Sequence, residues 1–325
     1  MALGNLFTGG IFTFIILIVI VFALWAVYKI IFAPILSFFG FGKKTLGQLG
    51  ERTTKNWLDS WTRERDIAER ETNDGALESK GSTALEEGAD AVGNLDKLLI
   101  TVQKSQNFNE ERVVAAKEFV GAIERSVEES TKAFHEISAS FQRDRADTKK
   151  IIKEYKQSIG DQKTIRQQTE ERVGILGKDP INQKDPFAGN IMRLANEIQA
   201  LEGTILAEEN QDREQLQELV TIAETRDNKA KRIGKSLGKI NVLLKKKPIL
   251  PEIVPLQTLT EEIKIAIQDI LTETKNMQSL LRRRQELSRG IMNIESQLRD
   301  LIQEQRKQIL SSEANFADLQ SRGAA

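Results

Sequence analysis

The stretch EERVVAAKEFVGAIERSVEESTKAFHEISASF, residues Glu110–Phe141, decides the fold class. Val113, Ala116, Val120, Ile123, Val127, Phe134, Ile137 and Phe141 recur at steps of three and four, which places them on one face of an α-helix. Asn109, followed by Glu110 and Glu111, has the form of an N-cap with an acidic first turn. No proline interrupts the chain from there to about Leu176, so the helix runs on. The run Gly177-Lys178-Asp179-Pro180 through Lys184-Asp185-Pro186 then makes a turn, because each proline after an aspartate stops a helix and opens a bend.

Two further helices follow. One runs from about Phe187 to Lys246 on a stripe that includes Ile191, Leu194, Ile198, Leu201, Ile205, Leu216, Leu219, Ile233, Leu237, Ile240 and Leu244. Pro248, Pro251 and Pro255 end it. The last occupies about Thr258 to Ser321, with a heptad seam of Ile263, Ile267, Ile270, Met277, Leu281, Ile291, Leu298, Ile302, Ile309, Phe316 and Leu319. Arg284, Ser288, Glu295 and Gln305 fall on that seam as polar members and weaken it as a simple dimer interface. Helices of roughly sixty residues joined by short turns, near 177–186 and 247–256, favour antiparallel neighbours about 90 Å long. The expected fold is therefore all-α: long antiparallel coiled-coil helices over 94–325, arranged as a three-helix rod. In layout this is similar to a spectrin-type triple-helical segment. With the N-terminal segment described next, the whole resembles bacterial cell-division regulators that carry such segments behind one anchor.

Ahead of the rod, Ile11–Phe32 reads IFTFIILIVIVFALWAVYKIIF, about the length a helix needs to cross a hydrocarbon core. Trp25, Tyr28 and Lys29 sit at its end as interfacial anchors, and Phe38, Phe39, Lys43 and Lys44 continue along the interface. Lys and Arg follow the span and none precedes it. A single-pass membrane protein is therefore expected, with a short 1–10 tail outside, a transmembrane helix at 11–32 and the C-terminal bulk cytoplasmic. A cleaved signal peptide is the competing reading, but a basic n-region is missing and the apolar run is too long. Residues 33–72 read as an interfacial segment and amphipathic helix carrying Leu46, Leu49, Trp57 and Trp61. The two tryptophans, one turn apart, either lie on the membrane surface or pack against another helix. Gly75, Gly81, Gly88 and Gly93 among small and acidic residues read as a flexible neck over 73–93.

The chain has 47 basic and 47 acidic residues, so it has no overall attraction for nucleic acid. It contains no cysteine and one histidine, His135, which excludes disulfides, cysteine nucleophiles and paired-histidine metal sites and makes His135 an ordinary helix residue. Gly174-Ile-Leu-Gly177-Lys178-Asp179 lacks the spacing and the Ser or Thr of a phosphate loop. No catalytic constellation, cofactor, metal or small-molecule substrate is expected. The one pointed cluster is Lys229, Lys231, Arg232, Lys235, Lys239, Lys245, Lys246 and Lys247, in a stretch free of acid between Asn228 and Pro251. With a turn centred near Asn182, Lys247 lies opposite about Lys117 and Lys235 opposite about Glu129. Internal pairing with Glu110, Glu111, Glu118, Glu124, Glu128 and Glu129 is then the first reading. A patch for an anionic partner is the second. The absence of interleaved aromatic residues argues against single-stranded nucleic acid. Arg282, Arg283, Arg284 and Arg289 read as a solvated face.

The function expected is a non-enzymatic, membrane-anchored coiled-coil scaffold or interaction protein. It would meet the lipid bilayer through its anchor and protein partners, or a second copy of itself, through its coiled-coil surfaces. A helical signal transducer coupled to a membrane sensor and a membrane-surface tethering or remodelling protein are the alternatives.

Overall fold

The structure is a computed structural model that describes residues 44–176, 185–247 and 250–323. Among the described residues the secondary structure is helical: α1 (Leu46–Ser105), α2 (Glu110–Leu176), α3 (Ala188–Leu243) and α4 (Ile253–Gly323), the last entered through a 3-10 turn at Leu250–Glu252. The chain divides into two compact units, Met1–Leu49 and Gly50–Ala325. In the described part of the first, Thr45 and Gln48 form a reciprocal cap. Gln48 N–H donates to Thr45 Oγ1 and Thr45 N–H to Gln48 Oε1, both at 3.2 Å, which satisfies backbone donors that the first helical turn leaves open.

The second unit is a four-helix bundle in which consecutive helices run antiparallel. Arg52, Arg63 and Arg70 of α1 meet Asp161, Glu154 and Asp144 of α2 in falling order. Thr148 of α2 meets Asp212 of α3, and Glu124 meets Asn241. Lys229 and Ser236 of α3 meet Glu273 and Glu262 of α4. Trp57 and Gln103 of α1 meet Glu295 and Gln257 of α4, which closes the ring. The expected register between the second and third helices holds: the Asn241–Glu124 bond, 2.7 Å long, is centred close to Asn182. Asn109 caps α2 through its Oδ1, which accepts from Arg112 N–H at 3.2 Å. Gln106, at φ 52°, turns the chain out of α1 in the left-handed conformation typical of helix ends.

Three expectations are corrected. The rod has four helices, not three, because α1 runs unbroken from Leu46 to Ser105 and contributes Leu85, Val92, Leu95, Leu99 and Val102 to the core. The neck at 73–93 is therefore helix. A Cβ at Gly81 would come within 2.6 Å of the Phe134 ring, and one at Gly88 would collide with Ser126 Oγ, so these two glycines are notches that let α2 approach closely. The single-pass placement, with the N-terminus outside and the bulk cytoplasmic, is also corrected. No helix among the described residues is long and apolar enough to cross a membrane, since charged residues recur along the exposed faces of α1 to α4. The segment 11–32 that carried the expectation lies outside the described residues, as do Trp25, Tyr28, Lys29, Phe38, Phe39 and Lys43.

The core follows a seven-residue repeat. In α2, Ala116, Ile123, Ser130, Ile137, Asp144, Ile151, Ser158 and Ile165 are all buried. In α3 and its C-cap the series Ala195, Glu202, Glu209, Leu216, Ala223, Ala230, Leu237 and Leu244 is equally buried. One half of the bundle is a continuous apolar cluster of 29 buried residues, reaching from Leu85–Leu99 of α1 across α2 and α3 to Leu256–Leu281 of α4. The other half has an apolar cluster of nine, around Trp57, Ile151, Tyr155, Ile198 and Leu298.

Candidate functional site

Where the apolar seams give out, the same heptad positions carry charge. Glu64, Glu71 and Glu78 of α1 step by seven into Leu85, Val92 and Leu99, and all six are buried. At the boundary of the apolar half, Arg226 of α3 is fully buried, bonds Glu78 of α1 at 3.1 Å and stacks its guanidinium on Phe134 of α2. Burial lowers the Arg226 pKa despite Glu78, and burial raises that of Glu78 despite Arg226. Desolvation thus outweighs attraction for both partners.

The next layer is centred on Arg284 of α4, whose side chain is 0 % exposed. Its Nε donates to Asp212 Oδ1 of α3 at 2.6 Å and its Nη1 to Asp144 Oδ2 of α2 at 3.2 Å, while Glu71 of α1 lies 3.3 Å from Nη2. One cation thus joins all four helices. Burial alone would lower the Arg284 pKa, but Asp212, Glu71 and Asp144 together raise it. Glu71 itself is pushed up to about 7 by burial, more than Arg284 lowers it. The sequence places Arg284 both on the α4 seam and in a solvated arginine patch; for Arg284 the structure keeps the first and corrects the second, while Arg282, Arg283 and Arg289 are exposed.

Beyond this layer the carboxyls lack cations. Glu64 of α1 and Glu209 of α3 face each other across the core, close enough that a proton on one of them would bridge the two. Burial, then the neighbouring Glu209, raises Glu64 well above the usual range. Burial raises Glu209 to about 7. Tyr155 of α2 donates its hydroxyl to Glu295 Oε1 of α4 at 2.5 Å, and burial raises Glu295 to about 8. Ser158 of α2 donates to Glu202 of α3, which burial also raises to about 8. Further along, Gln162 and Gln305 exchange two amide bonds, of 3.2 and 2.7 Å, and satisfy each other. Among the described residues no group of three or more Asp, Glu or His side chains is arranged to hold a metal ion.

Trp57 and Trp61 belong to this interior. Trp57 is 8 % exposed, stacks on Trp61 at 5.9 Å and donates its indole N–H to the Glu295 carbonyl at 3.2 Å. Of the two readings, packing between helices holds for Trp57. Trp61 is half-buried, with Arg65 over its ring. Lys44 is exposed ahead of α1.

The basic stretch lies on α3 and the turn after it. Lys229 pairs with Glu273 and Asp269 of α4, Lys231 with Asp227 one turn back, and Lys246 with Glu252. Arg232, Lys235, Lys239, Lys245 and Lys247 are exposed and form no ion pair among the described residues. The acids expected opposite them on α2 do not reach them; Glu124 accepts from Asn241 instead. Internal pairing therefore accounts for three of the eight, through other acids than those the register suggested. Lys245 and Lys247 join Lys117 around a groove floored by Phe108, Val113, Val114, Leu244 and Leu250, where α2 begins and α3 ends. His135 is exposed on α2.

Apart from Glu295 on the α4 seam, the buried acids are what the sequence reading missed. Their signal was present as the seven-residue continuation of apolar seams into Glu64, Glu71 and Glu78, and into Glu202 and Glu209. Comparison of the chain with protein-family models, with curated proteins and with solved structures finds no match.

Proposed function

We propose that this chain is a non-enzymatic helical scaffold that holds an acidic protein partner along the exposed face of α3. The observation that supports this reading is the set of unpaired cations. Arg232, Lys235 and Lys239 are exposed, form no ion pair among the described residues, and recur at helical spacing with no acid between Asn228 and Pro251. Like charges at this spacing repel and cost helix stability, so an acidic counterpart would relieve them. The stretch has no aromatic side chain to stack a base, which favours a protein over a single-stranded nucleic acid. A long rigid helix suits such contacts, because its exposed residues are positioned before the partner arrives.

Gly238 lies on this face, and a Cβ there would meet nothing within 4 Å. A photo-crosslinking amino acid at Gly238, in the full chain in its native cell, should therefore couple to a discrete protein through an acidic peptide identified by mass spectrometry. Combined Arg232→Glu, Lys235→Glu and Lys239→Glu changes should abolish that product. Crosslinks that survive charge reversal, or adducts with nucleic acid or lipid alone, would sink the reading.

A further inference from the structure

We propose that the carboxylate-rich half of the bundle is a proton-operated latch, closed while its buried acids hold protons and loosened when they ionise, with the apolar half as its fixed base. The asymmetry is geometric. In the apolar half, short of the Arg226–Glu78 pair, the buried polar groups are hydroxyls: Thr260, Thr274 and Ser130 bond their own helix backbone and Ser126 the Ala84 carbonyl of α1. In the other half Glu64, Asp74, Glu202, Glu209 and Glu295 are buried with no cation in ion-pair contact, and each has one carboxylate oxygen with no hydrogen-bond partner. A charged carboxylate in such a place must be neutralised or rehydrated.

The groups facing these acids come from every helix. Glu64 of α1 meets Glu209 and Asp212 of α3, Glu71 of its own helix, Tyr155 of α2 and Glu295 of α4. Asp74 of α1 meets Ser140, Arg143 and Asp144 of α2 and Arg284 of α4. Glu202 of α3 has Ser158 and Tyr155 of α2. Arg284, the buried cation within reach of Asp74 and Glu209, is already shared by Glu71, Asp144 and Asp212. Deprotonation of Glu64 would set two carboxylates directly against each other across the α1–α3 diagonal, and separation of those helices is the relief available to them.

The direction is fixed by where the protons are held. These carboxyls bind protons more tightly in the closed bundle than in an open chain, so closure is favoured most below the ordinary carboxyl range. That advantage is lost as pH rises through about 7 for Asp74 and Glu209 and about 8 for Glu202 and Glu295. Among the described residues the apolar half has no buried acid without a cation, so it should not respond.

The chain has no cysteine, so spin labels can be placed cleanly in the full-length protein. Leu58→Cys with Thr204→Cys reports the α1–α3 distance in the carboxylate half, and Asp90→Cys with Gly238→Cys reports it in the apolar half; all four positions are exposed. Electron–electron dipolar distances should lengthen and broaden for the first pair between about pH 5.5 and about pH 8.5 and stay unchanged for the second. Glutamine at Glu64, Glu202, Glu209 and Glu295, with asparagine at Asp74, mimics the protonated acids and should keep the first pair at its low-pH distance throughout. The wild-type comparison decides by itself if that variant does not fold. An unchanged first pair, equal movement in both pairs, or a glutamine variant that opens like the wild type would each overturn the proposal.

Discussion

Glu202→Gln should stabilise the protein, and by an amount that depends on pH. Glu202 is 1 % exposed on α3; one carboxylate oxygen accepts from Ser158 and the other has no partner. Burial lifts its pKa from 4.5 to about 8. Between those values the folded chain keeps a proton that the unfolded chain has released, and each pH unit costs about 1.4 kcal/mol of folding free energy. The loss is under ~1 kcal/mol at about pH 5 and approaches ~4 kcal/mol at about pH 8, where it levels off. A glutamine presents one acceptor and one donor end, as the protonated acid does, but has no charge to release. Allowing for relaxation and water entry around a buried acid, the gain at about pH 8 should be about 2–4 kcal/mol, shrinking below ~1 kcal/mol at about pH 5. Urea unfolding of the full chain and the variant, followed by far-UV circular dichroism at both pH values, measures this directly. A variant less stable than wild type at the higher pH would refute the reasoning, because it would mean that Ser158 holds Glu202 as a carboxylate. So would a gain that does not change with pH.

Arg284→Met should destabilise by about 3–5 kcal/mol, since it strands Glu71, Asp144 and Asp212 without their shared cation. Adding Asp144→Asn and Asp212→Asn to it should recover part of that loss in the same unfolding assay. Gly81→Ala should cost about 1–3 kcal/mol by pushing the Phe134 ring aside. Gly93→Ala, with open space around the new methyl, should instead stabilise α1 by about 0.5–1 kcal/mol. Equal effects at the two glycines, read from melting temperature, would return both to the status of a flexible connection.

The helices past Asn109 were legible because each holds one apolar stripe, one cap or proline turn at its end, and few conflicting signals. The polar members of the α4 seam, Arg284, Ser288, Glu295 and Gln305, were legible as seam positions, and all four are buried. Helix α1 was harder. Its core repeat is occupied by Glu64, Glu71, Asp74, Glu78, Gly81 and Gly88, residues that elsewhere mark solvent or a linker. The basic stretch was legible as a cluster, but its division into paired Lys229, Lys231 and Lys246 and unpaired neighbours depended on side-chain geometry across helices.

What the sequence determined by itself is therefore the period, the turns and the register. A seven-residue repeat says which side of each helix faces inward, and Asn109 and the proline turns say where the chain reverses. What the repeat does not contain is the identity of the opposing residue. Whether Glu64 looks out at water or across at Glu209, and whether Gly81 bends a linker or receives Phe134, follows from the number of helices around the core and their offsets. Those are properties of packing among segments more than fifty residues apart, and no local pattern encodes them.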